Sequence, residues 1–227
     1  MPYYYFNTSY ILYILPGFLL ALYAQAKVKS AYQKYGQIAS GSSFNGASLA
    51  RKILDDNGLQ GVSIHRVSGN LSDFYNPADK TLHLSDGVYS RSSVAALAVA
   101  AHECGHAIQD AKDYFPLKLR SYLVPAAQFG SNFAFILFFA GLVFSQFLMN
   151  LGIALYAIAV LFTLITLPVE YNASHRAKDI LGGLLPGNEM QGVNTMLDAA
   201  ALTYVASLAT ALGTLLRLLA LSGNRRD

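Results

Sequence analysis

Charge is what this chain has least of. Asp, Glu, Lys and Arg make up 13% of its 227 residues, about half the share of an ordinary soluble domain. Between Ser121 and Val169 there is no charged residue at all. That excludes a solvated surface there and leaves room for two helical crossings of about 20 residues each. The chain has a single cysteine, Cys104, which excludes both an intrachain disulfide framework and a zinc site built from thiolates. It also fits a reducing compartment. No Lys or Arg precedes the first apolar run, whereas a signal peptide begins with positive charge. The formal net charge is only +3, and the basic residues gather at the ends of apolar runs. That pattern suits anionic lipid headgroups and argues against nucleic acid as a partner.

Against this apolar background, His102-Glu103-Cys104-Gly105-His106 stands out. It reads H-E-x-x-H. On a helix the two imidazoles leave one face a turn apart and can share a zinc ion, while Glu103 lies to one side as general base. The preceding run Ser93 to Ala101 is rich in helix formers, and Ser92 or Ser93 can cap its start. This helix is apolar nearly all round and is expected to be buried. Cys104 occupies a variable slot and reads as a small packing residue.

The extended pattern with a third histidine fails, because Gln109 and Lys112 stand where Gly and His are needed. Only five histidines are present, so a downstream carboxylate is the better third ligand. The best candidate is Glu170. Ala173 and Ala177 continue its stripe and allow close packing against the motif helix. The competing reading makes Glu170 simply the first charge after a membrane span.

The uncharged stretch predicts a helix over roughly 122–148 and another over roughly 151–169. Their turn would fall near Met149-Asn150-Leu151-Gly152, with Pro125 and Pro168 near helix ends. An earlier run, roughly 10–26, reads as an uncleaved anchor, with Tyr3, Tyr4, Tyr5 and Tyr10 as an interfacial belt. Lys27, Lys29 and Lys34 follow it; Lys118 and Arg120 precede the hairpin; Arg176 and Lys178 follow it. Positive-inside then places the N-terminus outside and residues 27–120 in the cytoplasm. The hairpin returns Glu170 to the side of His102 and His106, at the membrane face. For residues 199–221 two readings remain open. They are long enough to cross, yet Arg225 and Arg226 beyond them would then lie outside; packing on the catalytic domain is the alternative.

The expected architecture is a mainly α membrane protein: transmembrane helices plus a small α+β zincin-like catalytic domain. Its parts are an anchor (1–26), the catalytic domain (27–120), the apolar hairpin (121–169) and a segment (170–227) that completes the catalytic unit. Within 27–120, Ala47 to Asn57 reads as an amphipathic helix with Leu49, Ile53 and Leu54 inward, stopped by Asn57-Gly58. Residues 62–67 alternate like a strand. Residues 71–75 and 80–85 flank the turn Asn76-Pro77-Ala78-Asp79 as a β-hairpin. A short sheet just before the motif helix suits a peptidase, since its edge can hold an extended peptide by backbone hydrogen bonds. His83 reads as a solvated strand residue, with cleft lining as the alternative.

These residues resemble the YugP-like family of neutral zinc metallopeptidases along nearly the whole chain. The segments that carry the resemblance are Phe74 to Pro77, Leu84 to Tyr89, Ala100 to Gln109, Glu170 to Ser174 and Ala200 to Ala206. More distantly the chain is similar to the HtpX and CAAX-prenyl-endopeptidase group, whose third ligand is a Glu in a Glu-x-x-x-Asp pattern. The resemblance implies His102, His106 and Glu170 as gluzincin-type ligands of zinc and Glu103 as the catalytic base. Ser174 stands where the distant group has Asp, and its hydroxyl could still hydrogen-bond a ligand histidine. Phe74 and Asn76 replace a His and an Asp of the family's hairpin. Tyr204 and His175 are candidates for stabilising the oxyanion. The expected function is hydrolysis of peptides or membrane-protein tails at the bilayer. A zinc-stabilised membrane scaffold without turnover, with His175 as a fourth ligand, is the alternative. A transporter would need charges inside its spans, which the two central ones lack.

Overall fold

The computed structural model describes residues 11–223. By their internal contacts they fall into two units: Ala26–Lys118 with Pro168–Leu202, and residues up to Gln25 with Leu119–Leu167 and Thr203 onward. The expected anchor therefore begins outside the described residues, as do Tyr3, Tyr4, Tyr5, Tyr10, Arg225 and Arg226. Its described remainder continues into helix α1, Leu15–Gly36.

In the first unit, helix α2 (Gly46–Asp56) starts at a capping box. The Asn45 side chain accepts the Ser48 N–H at 2.8 Å, and the Ser48 hydroxyl accepts the Asn45 N–H at 3.0 Å. It stops at Asn57, followed by Gly58 at φ +75. Leu49, Ile53 and Leu54 are buried, as their spacing predicts.

Strand β1 (Ser63–Val67) pairs parallel with β3 (Thr81–Ser85), and β2 (Phe74–Asn76) pairs antiparallel with β3. The order is β1-β3-β2, which includes the predicted hairpin. In its turn, Asn76 Oδ1 accepts the Ala78 N–H at 3.1 Å. The central strand drives Leu82 and Leu84 fully into the core. Asp73, just ahead of β2, accepts the Ser85 backbone N–H at 2.6 Å and its hydroxyl at 2.9 Å, tying the hairpin base to the end of β3.

A short helix α3 (Asp86–Tyr89) leads to the motif helix α4 (Val94–Ala111), which Ser93 caps by accepting the Ala96 N–H at 3.3 Å. As expected, α4 is buried on nearly every face. Burial pushes the Cys104 thiol up, so it stays protonated and packs with its Sγ 3.7 Å from the Ala50 carbonyl.

Helices α5 (Phe115–Phe144), α6 (Gln146–Gly182) and α7 (Gly187–Gly223) are each long and apolar enough to cross a membrane. Among the described residues α1 is not in that set. Residues 199–221 lie inside α7, so length and composition permit a crossing there.

The hairpin turn differs from the sequence expectation. It falls at Ser145, whose hydroxyl accepts the Phe147 N–H at 3.2 Å, and Met149 to Gly152 already lie within α6. Gly152 is not a turn residue; it lets the two helices touch. A Cβ there would stand 2.6 Å from the Ala134 carbonyl oxygen and 2.7 Å from Phe138 N. Phe138 and Met149 are fully buried beside this contact. The helices also outrun the apolar stretch at its outer ends, so Pro125 and Pro168 sit inside them instead of near their ends.

Gly152→Ala should therefore lower stability by about 1–3 kcal/mol, because both neighbours are backbone atoms of a helix that cannot shift locally. Gly182→Ala, with nothing within 4 Å of the new methyl, should cost nothing. Thermal unfolding of the two variants in detergent tests the contrast.

Candidate metal centre

Residues 102, 105, 106 and 109 form one stripe of α4, since i, i+3, i+4 and i+7 share a helical face. That stripe meets residues 169–174 of α6 in reverse order. Ser174 lies beside His102, Ala173 beside Gly105, Glu170 beside both histidines, and Val169 with Asn172 beside Gln109. The two segments are thus antiparallel. Gly105 sets their spacing: a Cβ there would stand 2.7 Å from the Ala173 carbonyl oxygen. Glycine inside the motif allows the approach that the small residues after Glu170 led us to expect.

At this contact Glu170 Oε2 lies 3.3 Å from His102 Nε2 and 3.5 Å from His106 Nε2. All three ligand atoms lie within 4.8 Å of one another. The separations are long for charge-assisted hydrogen bonds, which run about 2.7–2.9 Å. They match the edge of a coordination tetrahedron. With metal–ligand bonds of about 2.0–2.1 Å, two ligand atoms on zinc sit about 3.3 Å apart. The rings are edge-on, at 87° and 4.9 Å between centroids, so the two nitrogens approach from different directions. Two imidazole nitrogens and one carboxylate oxygen are also the donor set zinc prefers. The residues present fit such an ion. His106 and Glu170 are buried and His102 is half-buried.

Glu103 faces the sheet. Its Oε2 accepts the backbone N–H of Tyr75 at 3.0 Å, and the Tyr75 hydroxyl donates to Asp110 at 2.8 Å one helical stretch further on. Burial pushes the Glu103 carboxyl up to about 7. Charges on Glu170 and Asp73 push the same way, while His102 and the Tyr75 N–H pull back. A carboxyl poised near neutrality can both take and return a proton.

Ser174 Oγ lies 3.2 Å from His102 Nδ1, the contact its hydroxyl could supply. His175 lies elsewhere: its side chain is 73% exposed and its Nε2 is 3.5 Å from Asp179. Tyr204 lies on α7, in the second unit. His83 packs between aromatic rings. It is half-buried in a ring stack that crosses the sheet, 4.4 Å from Phe74 and 5.3 Å from His65. Phe74, one of the departures from the family hairpin, thus stacks on His83.

Two contributors escaped the sequence reading. The Tyr75 contact is made by a backbone N–H and leaves no mark in side-chain identity. Gln109 registered only as a failure of the extended motif. It is fully buried and hydrogen-bonded to His106, and its place three residues after His106 on an apolar helix was the available signal.

A family model described as "Putative neutral zinc metallopeptidase" matches residues 10–223. A relative from Bacillus subtilis (strain 168), named "Putative membrane protease YugP", is 46% identical over 211 residues, covering 92% of this chain and 94% of that protein. No solved structure matches the chain. A model that spans nearly the whole sequence, and a relative at that identity, bear out the resemblance drawn from the motifs: the chain belongs to the family described as putative neutral zinc metallopeptidases.

Proposed function

We propose that this protein is an integral-membrane zinc endopeptidase. His102, His106 and Glu170 would hold the ion and Glu103 would carry the proton. The observation that supports this most is the convergence of three Lewis bases from two helices, with a buried carboxyl of raised proton affinity at their side. A zinc ion in that cluster would supply Lewis acidity, acidifying the attacking water and polarising the scissile carbonyl. Glu103 takes the proton from the attacking water and returns it to the leaving amine, so one residue serves as base and then as acid. The Tyr75 N–H holds one Glu103 oxygen and keeps the carboxylate oriented for both transfers. His175 is a candidate donor to the developing oxyanion, and it would first have to leave Asp179.

Segments 27–120 and 170 onward would form a zincin-like catalytic unit, a reading that the grouping of Ala26–Lys118 with Pro168–Leu202 supports as far as Leu202. Three apolar helices and the relative's name support a place in the membrane. The basic residues flanking the apolar runs favour the cytoplasmic side for the catalytic unit and an external N-terminus. Glu170 directly follows the uncharged stretch that ends at Val169, so substrates near the bilayer, such as membrane-protein tails or short peptides, suit the site. A scaffold with a closed zinc site would need a fourth protein ligand. Among the described residues no fourth His, Cys, Asp or Glu joins these three.

Glu103→Gln should keep one zinc per chain and lose about 10²–10⁴-fold in cleavage of a casein-type or fluorogenic peptide substrate. Cleavage at the wild-type rate would sink the mechanism. Glu170→Ala should lose both zinc and activity; full zinc occupancy by atomic absorption would remove Glu170 from the ligand set.

A further inference from the structure

We propose that Arg176, Asn172 and Gln109 form a hydrogen-bond relay that fixes the tautomer of His106 and ties its helix to the helix of Glu170. The inference rests on the metal reading above and adds positioning residues to it.

The direction of every bond follows from its neighbour. A guanidinium has donors and no acceptor. Arg176 Nε, 2.8 Å from the Asn172 side chain, must therefore meet its carbonyl oxygen. That same oxygen lies 3.0 Å from Gln109 Nε2, and the Val169 backbone carbonyl lies 2.8 Å from the same nitrogen. Two acceptors on one side require the NH2 face of the Gln109 amide there. An amide flip is settled by its partners, and here both partners agree. Gln109 Oε1 is thereby turned to His106 Nδ1, at 2.9 Å. An acceptor in that position requires a proton on Nδ1. Neutral His106 then carries none on Nε2, and the Nε2 lone pair faces Glu170.

His102 has no such fixed partner. The Ser174 hydroxyl at its Nδ1 is a rotor that can donate or accept, so it permits the metal-ready tautomer without dictating it. The two histidines are therefore prepared unequally, and His106 is the pre-set one. The relay also spans 60 and 63 positions of sequence between Gln109 and its partners on α6. Val169 is the immediate neighbour of Glu170, so the same amide that orients one ligand holds the backbone that carries another. Gln109 is fully buried, and each of its two amide ends has a partner.

The test uses the full chain purified in detergent, with zinc affinity read by competition against a chromogenic chelator and the melting point of the zinc-free protein recorded alongside. Partners of ligand histidines are typically worth about 10–100-fold in metal affinity. Gln109→Leu should fall by that amount. Arg176→Leu should fall by less, since the Val169 carbonyl still orients Gln109. The double variant should bind no more weakly than Gln109→Leu alone, because Arg176 acts only through Gln109; independent structural effects would add. In ¹⁵N-histidine spectra of the zinc-loaded wild type, His106 should be protonated at Nδ1. Wild-type affinity in Gln109→Leu, additive losses in the double variant, or a lowered melting point with unchanged affinity would each overturn the relay. If Gln109→Leu does not fold, Arg176→Leu decides, with weakened binding supporting the relay and wild-type affinity overturning it. His106→Ala separates the two levels. If it loses zinc while Gln109→Leu does not, only the relay fails; if the wild type itself binds no zinc, the metal reading fails and the relay with it.

Discussion

The backbone of α4 at Gly105 lies against the backbone of α6 at Ala173, and the site depends on how near these two helices come. Imidazole and carboxylate side chains are short, and metal coordination tolerates only about ±0.2 Å in its bond lengths. A methyl group at position 105 would meet the Ala173 carbonyl oxygen at 2.7 Å. The helices would have to part, and Glu170 would withdraw from the two imidazoles by more than that tolerance. Glycine in the motif, alanine at 173 and the absence of any larger group between them are thus conditions on the chemistry as much as on the packing.

Charge is the second constraint. Glu103 and Glu170 are both buried, and their negative charges oppose each other. A buried carboxylate that is left uncompensated costs several kcal/mol, on the order of the whole net stability of a domain. A divalent cation held by His102, His106 and Glu170 would offset that repulsion where it is largest. The arrangement makes most sense as one that folds around, or is completed by, a positive ion.

Local chemistry was legible in the sequence wherever a residue acts through its own side chain. The inward face of Leu49, Ile53 and Leu54, the turn at Asn76, a serine cap ahead of Val94 and the helix that carries H-E-x-x-H all follow their sequence pattern, because each is a fixed spacing with a fixed physical consequence. The boundaries of the long helices did not. The uncharged run marks only where helices avoid polar side chains, and an α-helix continues past that point until something stops it. Hence α5 begins at Phe115 and α6 runs on to Gly182, with Pro125 and Pro168 inside. Gly152 misled for a related reason: glycine serves turns and close helix contacts alike, and only the partner backbone distinguishes them. The Tyr75 N–H was hidden because a backbone donor leaves no mark in side-chain identity, and the α6 partners of Gln109 because they lie 60 and 63 positions away.

The Tyr75 N–H also changes what the sheet edge can do. Successive residues of a strand direct their N–H groups to opposite sides. Tyr75 gives its N–H to Glu103, so that group points away from β3, out of the β2 edge. An extended peptide docking along this edge would compete for the same donor. Pairing with such a peptide at Tyr75 would release Glu103, and the bond to Glu103 would deny the peptide that donor. The edge expected to bind peptide by backbone hydrogen bonds is therefore already engaged at its middle residue. What it offers a substrate beside Tyr75 is acceptor rather than donor, since the carbonyl of Tyr75 leaves the strand on the same side as its N–H.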